Sequence, residues 1–496
     1  MAEAAELTPS QHGMLAALSG TVGARTIVTD ADLIEPWLHD WRGIYHGRAP
    51  ALLQPETTAE VATIVRAAAA HRVQLVPQGG NTSMVGGATP PKDGAALILS
   101  LRRLNRIRSI DPTAGLAIAE AGVILSDLHA AALASGRRFA LTLGARGSAT
   151  IGGLASTNAG GTQVLRHGTM RGLIAGIEAV LPDGSVHDGL AALKKDNRGY
   201  DLKELLVGAE GTLGVITAAT LRLAPAIDDR AVAWAGVTDP AAALQLLRLL
   251  EERTQAVESF ELMPHDVLCA VLAHLPDARP PLHGEHRWHV LIEAVGRAGE
   301  APGPAALLED LLGKALEAGL VVDATIASSE AQAEAFWTLR DSISAAERAQ
   351  GPATQHDISV PVDTMPRFLI DAAAACEARF PGTHASGFGH LGDGNVHFHV
   401  RAPQGAVPER WYAEDAPVVT RFVHDLVVAA GGSISAEHGI GQMKREELAR
   451  LSSPARIGAL RGVKAGLDPL GLFNPGKILE PVRPPFAALA PVASPQ

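Results

Sequence analysis

Gly147-Ser148-Ala149-Thr150-Ile151-Gly152-Gly153, running on into Ser156-Thr157-Asn158-Ala159-Gly160-Gly161, is the stretch on which the fold turns. Glycines so placed let backbone N–H groups approach an anion closely, which is how a pyrophosphate is cradled. Ordinary glycine turns would look similar, and one such loop would decide nothing. Two more lie in the same region. Pro77-Gln78-Gly79-Gly80-Asn81-Thr82-Ser83 directly follows the β run Val73 to Val76, and Gly86-Gly87 comes soon after. Gly208-Ala209-Glu210-Gly211-Thr212-Leu213-Gly214 precedes the strand Val215-Ile216-Thr217. Three such loops in one domain point to a large dinucleotide lying along the backbone.

The chain between the loops alternates strands with helices. Thr57-Thr58-Ala59-Glu60 predicts a capping box, and Val61, Ile64, Val65 and Ala68 mark one face of the helix behind it. Ala95 to Leu101, Leu116 to Glu120 and Ile177 to Leu181 read as strands, and Pro182-Asp183-Gly184-Ser185 as a hairpin turn. Near Ala226 the pattern breaks. Beyond it come strands at Ala231–Val237, Glu258–Met263 and His289–Val295, with helices at Ala241–Arg253 and Ala305–Ala318. That order predicts an antiparallel sheet with helices on one face. From Pro481 on, a Pro/Ala-rich tail is expected to be loosely held.

Composition sets the outer limits. The 496 residues suggest two to three domains at roughly 150 residues each. Hydrophobic residues are 47% and charged residues 19%, which excludes a disordered or fibrous chain. A net charge of −11 argues against a nucleic-acid-binding surface. Two cysteines, Cys269 and Cys376, exclude a disulfide scaffold and an all-cysteine iron–sulfur cluster. No secretory signal or membrane span is read, so a cytoplasmic protein is expected.

Gly387-Phe388-Gly389-His390-Leu391-Gly392 matches GxGxxG formally, yet Asn395 to Val400 after it alternates like a strand. The dinucleotide fingerprint needs a helix there, so a conventional NAD fold is disfavoured. Histidines are the better signal in this stretch. His397 and His399 share a strand face by period-2 alternation, and His390 sits across a glycine turn from them. Ser435-Ala436-Glu437-His438-Gly439-Ile440-Gly441 adds a carboxylate and an imidazole. Two or three imidazoles with one carboxylate suit zinc, manganese or iron(II). In the helix around Phe336 to Ser344, Arg340 offers a fork suited to a carboxylate, a surface salt bridge being the plain alternative.

The segments PQGGNT, GSATIGGLASTNAGG, GAEGTLGVIT, GHLGDGNVH, SAEHGIG and DPLGLFNPGK resemble the FAD-linked D-2-hydroxyacid dehydrogenases of the vanillyl-alcohol oxidase/p-cresol methylhydroxylase superfamily, from about residue 40 to 480. The resemblance implies an α+β fold: an extension over 1–46, an FAD-binding domain over 47–226, an antiparallel α+β cap over 227–460, and a segment over 461–496 that returns to the flavin domain. It places Pro77, Gln78, Gly79, Gly80, Asn81, Thr82 and Ser83 at FAD, with Gly147, Ser148, Thr150, Gly152, Gly153, Ser156, Asn158, Gly160 and Gly161. Gly211, Gly214, Ile216 and Asn474 join them, with Lys477 in the same C-terminal motif as Asn474. His390, His397 and Glu437 fall on metal ligands, His438 on the general base, and Arg340 on the arginine that binds the substrate carboxylate.

The implied activity is oxidation of a D-2-hydroxy acid, lactate-like or 2-hydroxyglutarate-like, with hydride passing to flavin N5 and electrons leaving to an external acceptor. A homodimer is one assembly left open. Three departures stand out. Asn81 replaces a histidine that carries covalent FAD in some members, so non-covalent FAD is expected. Gln355 replaces a lysine, which weakens the case for a dicarboxylate substrate, and His399 replaces an asparagine. A metal-dependent hydrolase, or a non-catalytic flavin subunit of an electron-transfer complex, are the competing functions.

Overall fold

The computed structural model describes residues 6–297, 299 and 301–481, so the expected tail beyond Pro481 lies outside the described residues. The first lobe holds two main sheets. In the four-stranded one, Ala96–Ser100 runs parallel to both Leu52–Leu53 and Gln74–Gln78, and Ile27–Val28 completes the edge beside Leu52–Leu53. The second is antiparallel, in the order Ile107–Asp111, Leu116–Glu120, Val215–Arg222, Ile174–Val180, Val186–Gly189. The turn Pro182 to Ser185 joins the last two strands as read.

Helix Thr58–His71 buries Val61, Ile64, Val65 and Ala68 against Leu75, Leu97 and Leu99. Its cap is only half a box. Thr57 Oγ1 accepts from Glu60 N, but the Glu60 carboxylate accepts from Glu56 N and Gly23 N instead of returning to Thr57. Glu60 thus ties down the segment before residue 47. Helix Pro9–Leu18, in the same segment, packs Met14 and Leu18 into the core beside Thr58–His71.

The strand expected to stop at Pro77 continues through Gln78. Leu75 N and O bond to Leu472 and Asn474 on the side away from Ala96–Ser100. Pro77 faces that same side, where no strand continues, so its missing N–H costs nothing.

The second lobe is one antiparallel sheet in the order Asp323–Ile326, Asp229–Val237, Trp288–Gly296, Val257–Pro264, His384–His390, Asn395–Arg401, Ala353–Ser359. Helices cover both faces rather than the single face expected. Ala231, Ala233 and Ala235 pack under Pro240–Arg253, Pro304–Glu317, Met365–Arg379 and Ala416–Ala429. Val232 and Trp234 face His265–His274, Glu330–Asp341 and Ile343–Ala349. The run Ala231-Val232-Ala233-Trp234-Ala235 is apolar at both parities, which is the pattern of a strand buried on both sides.

His356, on Ala353–Ser359, is buried beside His424. Its Nδ1–H donates to Phe398 O and its Nε2 accepts from Thr420 Oγ1, the pattern of a neutral ring. Burial, then His424, pushes its pKa down to about 3. The folded value lies below the unfolded value of about 6.5, so this stability is present above pH 6.5 and is lost as pH falls, by about 1.4 kcal/mol per unit. We expect the melting temperature to drop between pH 6.5 and 4.5, and His356→Gln to flatten that slope. Parallel melting curves for the two proteins would show that His356 is not the acid-sensitive group.

Candidate active site

The three glycine loops meet. A Cβ on Gly79 would stand 2.3 Å from Thr150 Oγ1, and one on Gly80 would stand 2.0 Å from Ser148 O. Only glycine lets the first loop lie this close to the second. Arg102 holds the carbonyls of Gly79 and Gly80, each at 3.0 Å. Gln78 and Asn81 send their side-chain amides to Trp37 O and His39 O. Half-buried Thr82 and Ser83 follow on the same loop, and Ser83 Oγ accepts from Gly87 N. Thr150 caps the short helix Ile151–Thr157 that carries Gly152, Gly153 and Ser156. Gly147 opens this second loop with no packing against it.

The third loop closes on the first through Gly211, whose Cβ position lies 3.3 Å from Pro77. Gly214 leads into Val215–Arg222. Ile216 stands apart from the other loop residues, since its side chain lies in the apolar core with Ile151 and Ile177. Asn158 ends its helix in the left-handed conformation, and its Oδ1 accepts from Arg171 N. Gly160 lies against Glu437, and Gly161 against Thr142 O. Asn474 returns from the C-terminal segment, donating to Gly87 O and Glu210 O. Lys477 of the same segment is buried. Gln78 Oε1 and Asn474 Oδ1 are buried acceptors with no protein donor, which fits a bound ligand at these loops.

The second lobe supplies the other wall. Strand pairing sets Glu261 opposite His390, and Asp357 opposite His397, so each imidazole has a carboxylate as its cross-strand neighbour. His390 Nδ1 donates to Glu261 Oε1 at 2.5 Å, which leaves Nε2, 3.5 Å from Arg340 Nη2, on the side of the other two ligand candidates. Ligand atoms of His390, His397 and Glu437 lie within 4.8 Å of one another. His399, one step along the strand, is not in this group and instead faces Glu347 at 3.6 Å.

The charges fit a cation. Burial pushes Glu437 up to about 7, with Asp357 and Asp393 adding to it. Burial, then His390 and Arg340, keeps His397 neutral and able to ligate. Burial pulls His390 down, but Glu261 more than reverses this, to about 9, and a cation at Nε2 would take that proton's place.

The Arg340 side chain is only 13% exposed, and the surface salt bridge considered above gives way to an internal one. Its Nε and Nη2 reach Glu261 Oε2 at 2.9 and 2.8 Å. Burial opposes the Glu261 charge, but Arg340 and His390 hold its carboxyl down to about 2. Loop Ser435 to Gly441 hangs between two buried carboxylates. Asp357 Oδ2 accepts from Glu437 N and His438 N, both at 2.9 Å. Glu210 accepts from Ile440 N and Gly441 N, both at 2.7 Å. His438 Nδ1 stands 3.6 Å from Asp357 Oδ2, and burial holds its pKa below the ordinary histidine value despite that charge. Burial works against the Asp357 carboxylate too, yet His438, Lys444 and His397 hold it ionised far below the usual range. A cavity of about 690 Å³ lies between the lobes, reaching Asn158, Glu210 and Glu437.

Glu261, Asp357 and Glu210 are the site residues that sequence reasoning missed. Glu210 is an acid in a glycine-rich loop, which was the available signal, whereas Glu261 and Asp357 lie in strands that carry other polar residues and nothing local marks them.

Known proteins match both lobes. The family described as FAD binding domain covers residues 49–189, and that described as FAD linked oxidases, C-terminal domain, covers residues 228–478. D-2-hydroxyglutarate dehydrogenase, mitochondrial, of Bos taurus is 38% identical over 94% of this chain and 83% of its own length. D-2-hydroxyglutarate dehydrogenase of Xanthomonas citri pv. viticola is 34% identical over 93% of this chain and 96% of its own. Among solved structures, p-cresol methylhydroxylase superposes with a TM-score of 0.72 at 13% identity, covering 96% of this chain and 98% of its own. Alkyldihydroxyacetonephosphate synthase gives 0.70 at 15% identity, covering 96% and 86%. At such identities these two speak for the fold alone. The glycine loops, the lobe order and the sequence matches along nearly the whole chain agree, and the chain belongs to the FAD-linked D-2-hydroxyacid dehydrogenase family, on the vanillyl-alcohol oxidase/p-cresol methylhydroxylase fold.

Proposed function

We propose that this FAD-linked oxidoreductase converts a D-2-hydroxy acid to the 2-oxo acid. The supporting observation is that Arg340, the His390–His397–Glu437 group and His438 share one wall facing the glycine loops. FAD, held without a covalent link by Pro77 to Ser83 and Gly147 to Gly161, would supply the two-electron acceptor for the C2 hydrogen. A divalent cation such as zinc, manganese or iron on His390, His397 and Glu437 would supply Lewis acidity at the 2-hydroxyl.

The chain's own residues do the rest. Arg340 keeps one edge of its guanidinium on Glu261 and turns the remaining N–H groups to the substrate carboxylate. His438, neutral at the working pH, takes the hydroxyl proton, and Asp357 steadies the charge it gains. Residues 47–226 serve as the FAD domain, 227–460 as the cap and the described part of the last segment, 461–481, as the returning one. With only two cysteines the chain cannot build an all-cysteine iron–sulfur cluster of its own, so the electrons would pass from FAD to an external acceptor.

The row beside the cation group carries Gln355 opposite His399, and Ser386 on its other side. Arg401, one row further, is already paired with buried Glu347 at 3.2 Å. On this row a second substrate carboxylate would meet Gln355 where a cation could have stood, and Arg401 beyond it is committed to Glu347, which favours a lactate-like acid. An anaerobic panel of D-lactate, D-2-hydroxyglutarate, D-malate, glycolate and L-lactate, read by flavin bleaching, tests this. D-lactate should bleach fastest and L-lactate not at all; failure of every D-acid would overturn the function, and a clear lead for D-2-hydroxyglutarate would overturn the side-chain preference.

A further inference from the structure

We propose a second divalent-metal site, on the first lobe, formed by Glu35, His39 and His46. Glu35 and His39 are four residues apart across the turn Glu35–Trp37, which puts them on one face. The chain then doubles back. Asp40 N donates to Tyr45 O and Gly47 N to Leu38 O, so His39 and His46 become antiparallel neighbours. Their rings stack with centroids 3.9 Å apart and planes 19° from parallel.

Both imidazoles turn Nε2 to one oxygen. Glu35 Oε1 lies 2.7 Å from His39 Nε2 and 3.5 Å from His46 Nε2, and the three donor atoms fall within 4.8 Å of one another. A tetrahedral ion at about 2.0–2.1 Å from each donor needs donors roughly 3.3 Å apart, each imidazole lone pair lying in its own ring plane, so the two stacked rings must also turn apart about their side-chain bonds as the ion enters. Asp40 is occupied by the turn, accepting from Tyr45 N and Arg42 N, so it does not compete for the ion. The three side chains are 35% to 51% exposed, which leaves the remaining position to water. Two imidazoles and a carboxylate are a donor set for zinc or a neighbouring first-row ion.

Such an ion would brace the first FAD loop. Trp37 O and His39 O, on the same hairpin, accept from the side chains of Gln78 and Asn81. The Trp37 ring also carries Arg102, 4.8 Å from its centroid, and Arg102 holds Gly79 O and Gly80 O. Fixing the hairpin fixes four contacts to that loop, so metal bound here should slow FAD release.

The test uses the full-length holoprotein, stripped with a chelator and returned to buffered zinc. Wild type, Glu35→Gln, His46→Ala and the double variant are compared by zinc per chain and by FAD release, followed as flavin fluorescence. Melting curves in zinc-free buffer confirm that the variants are folded. Wild type should hold one more zinc per chain than the double variant, and zinc should slow FAD release about tenfold in wild type alone. Equal zinc content in wild type and double variant overturns the site. One extra zinc with unchanged FAD release overturns the brace. Zinc on His390, His397 and Glu437 counts equally in both proteins, so its presence or absence does not obscure the difference.

Discussion

His438→Gln is expected to keep FAD bound while slowing anaerobic flavin reduction by a D-2-hydroxy acid roughly 100- to 10 000-fold, the range for loss of a positioned general base. The main-chain N–H of residue 438 still reaches Asp357, so the loop and the Glu437 carboxylate keep their places. What disappears is an imidazole outside the cation group whose Nδ1 stands 3.6 Å from the Asp357 carboxylate, which leaves Nε2 to take a proton. Substrate binding should change little, since Arg340 is untouched. The defect should therefore appear in the limiting reduction rate and not in the concentration that half-saturates it. Stopped-flow bleaching separates the two, and reduction at the wild-type rate would remove His438 from the chemistry.

The outline of this site was legible because its parts are local. Gly147 to Gly161 and Pro77 to Ser83 announce close backbone approach by composition alone, and His397 with His399 announces a shared face by alternation. What could not be read was whatever depends on distant pairing. Glu261 meets His390 across 129 residues, and Glu210 meets Gly441 across 231. No spacing rule carries that information. His399 shows the converse: alternation put it on the right face, but only the sheet register shows it one step too far along and turned to Glu347. The strand Ala231–Val237 departs from the single covered face expected for a simpler reason, since an apolar run at both parities needs cover on both sides.

Arg340→Lys should lower kcat/KM about 100-fold, mainly through KM, with FAD retained and stability nearly kept. Lysine preserves the charge, so Glu261 still has a partner and His390 keeps its orienting carboxylate. One ammonium cannot also serve the substrate, because its short reach commits it to Glu261. The loss is then one charge-assisted contact to the substrate carboxylate, about 1.5–3 kcal/mol, or roughly ten- to a few hundredfold. Arg340→Met separates this from a merely structural role. It leaves Glu261 buried without its cation, which should cost about 3–5 kcal/mol of stability and disturb His390 as well. A lysine variant that binds 2-hydroxy acids as tightly as wild type would show that Arg340 exists for Glu261 alone, and the carboxylate clamp would have to be sought elsewhere on the wall.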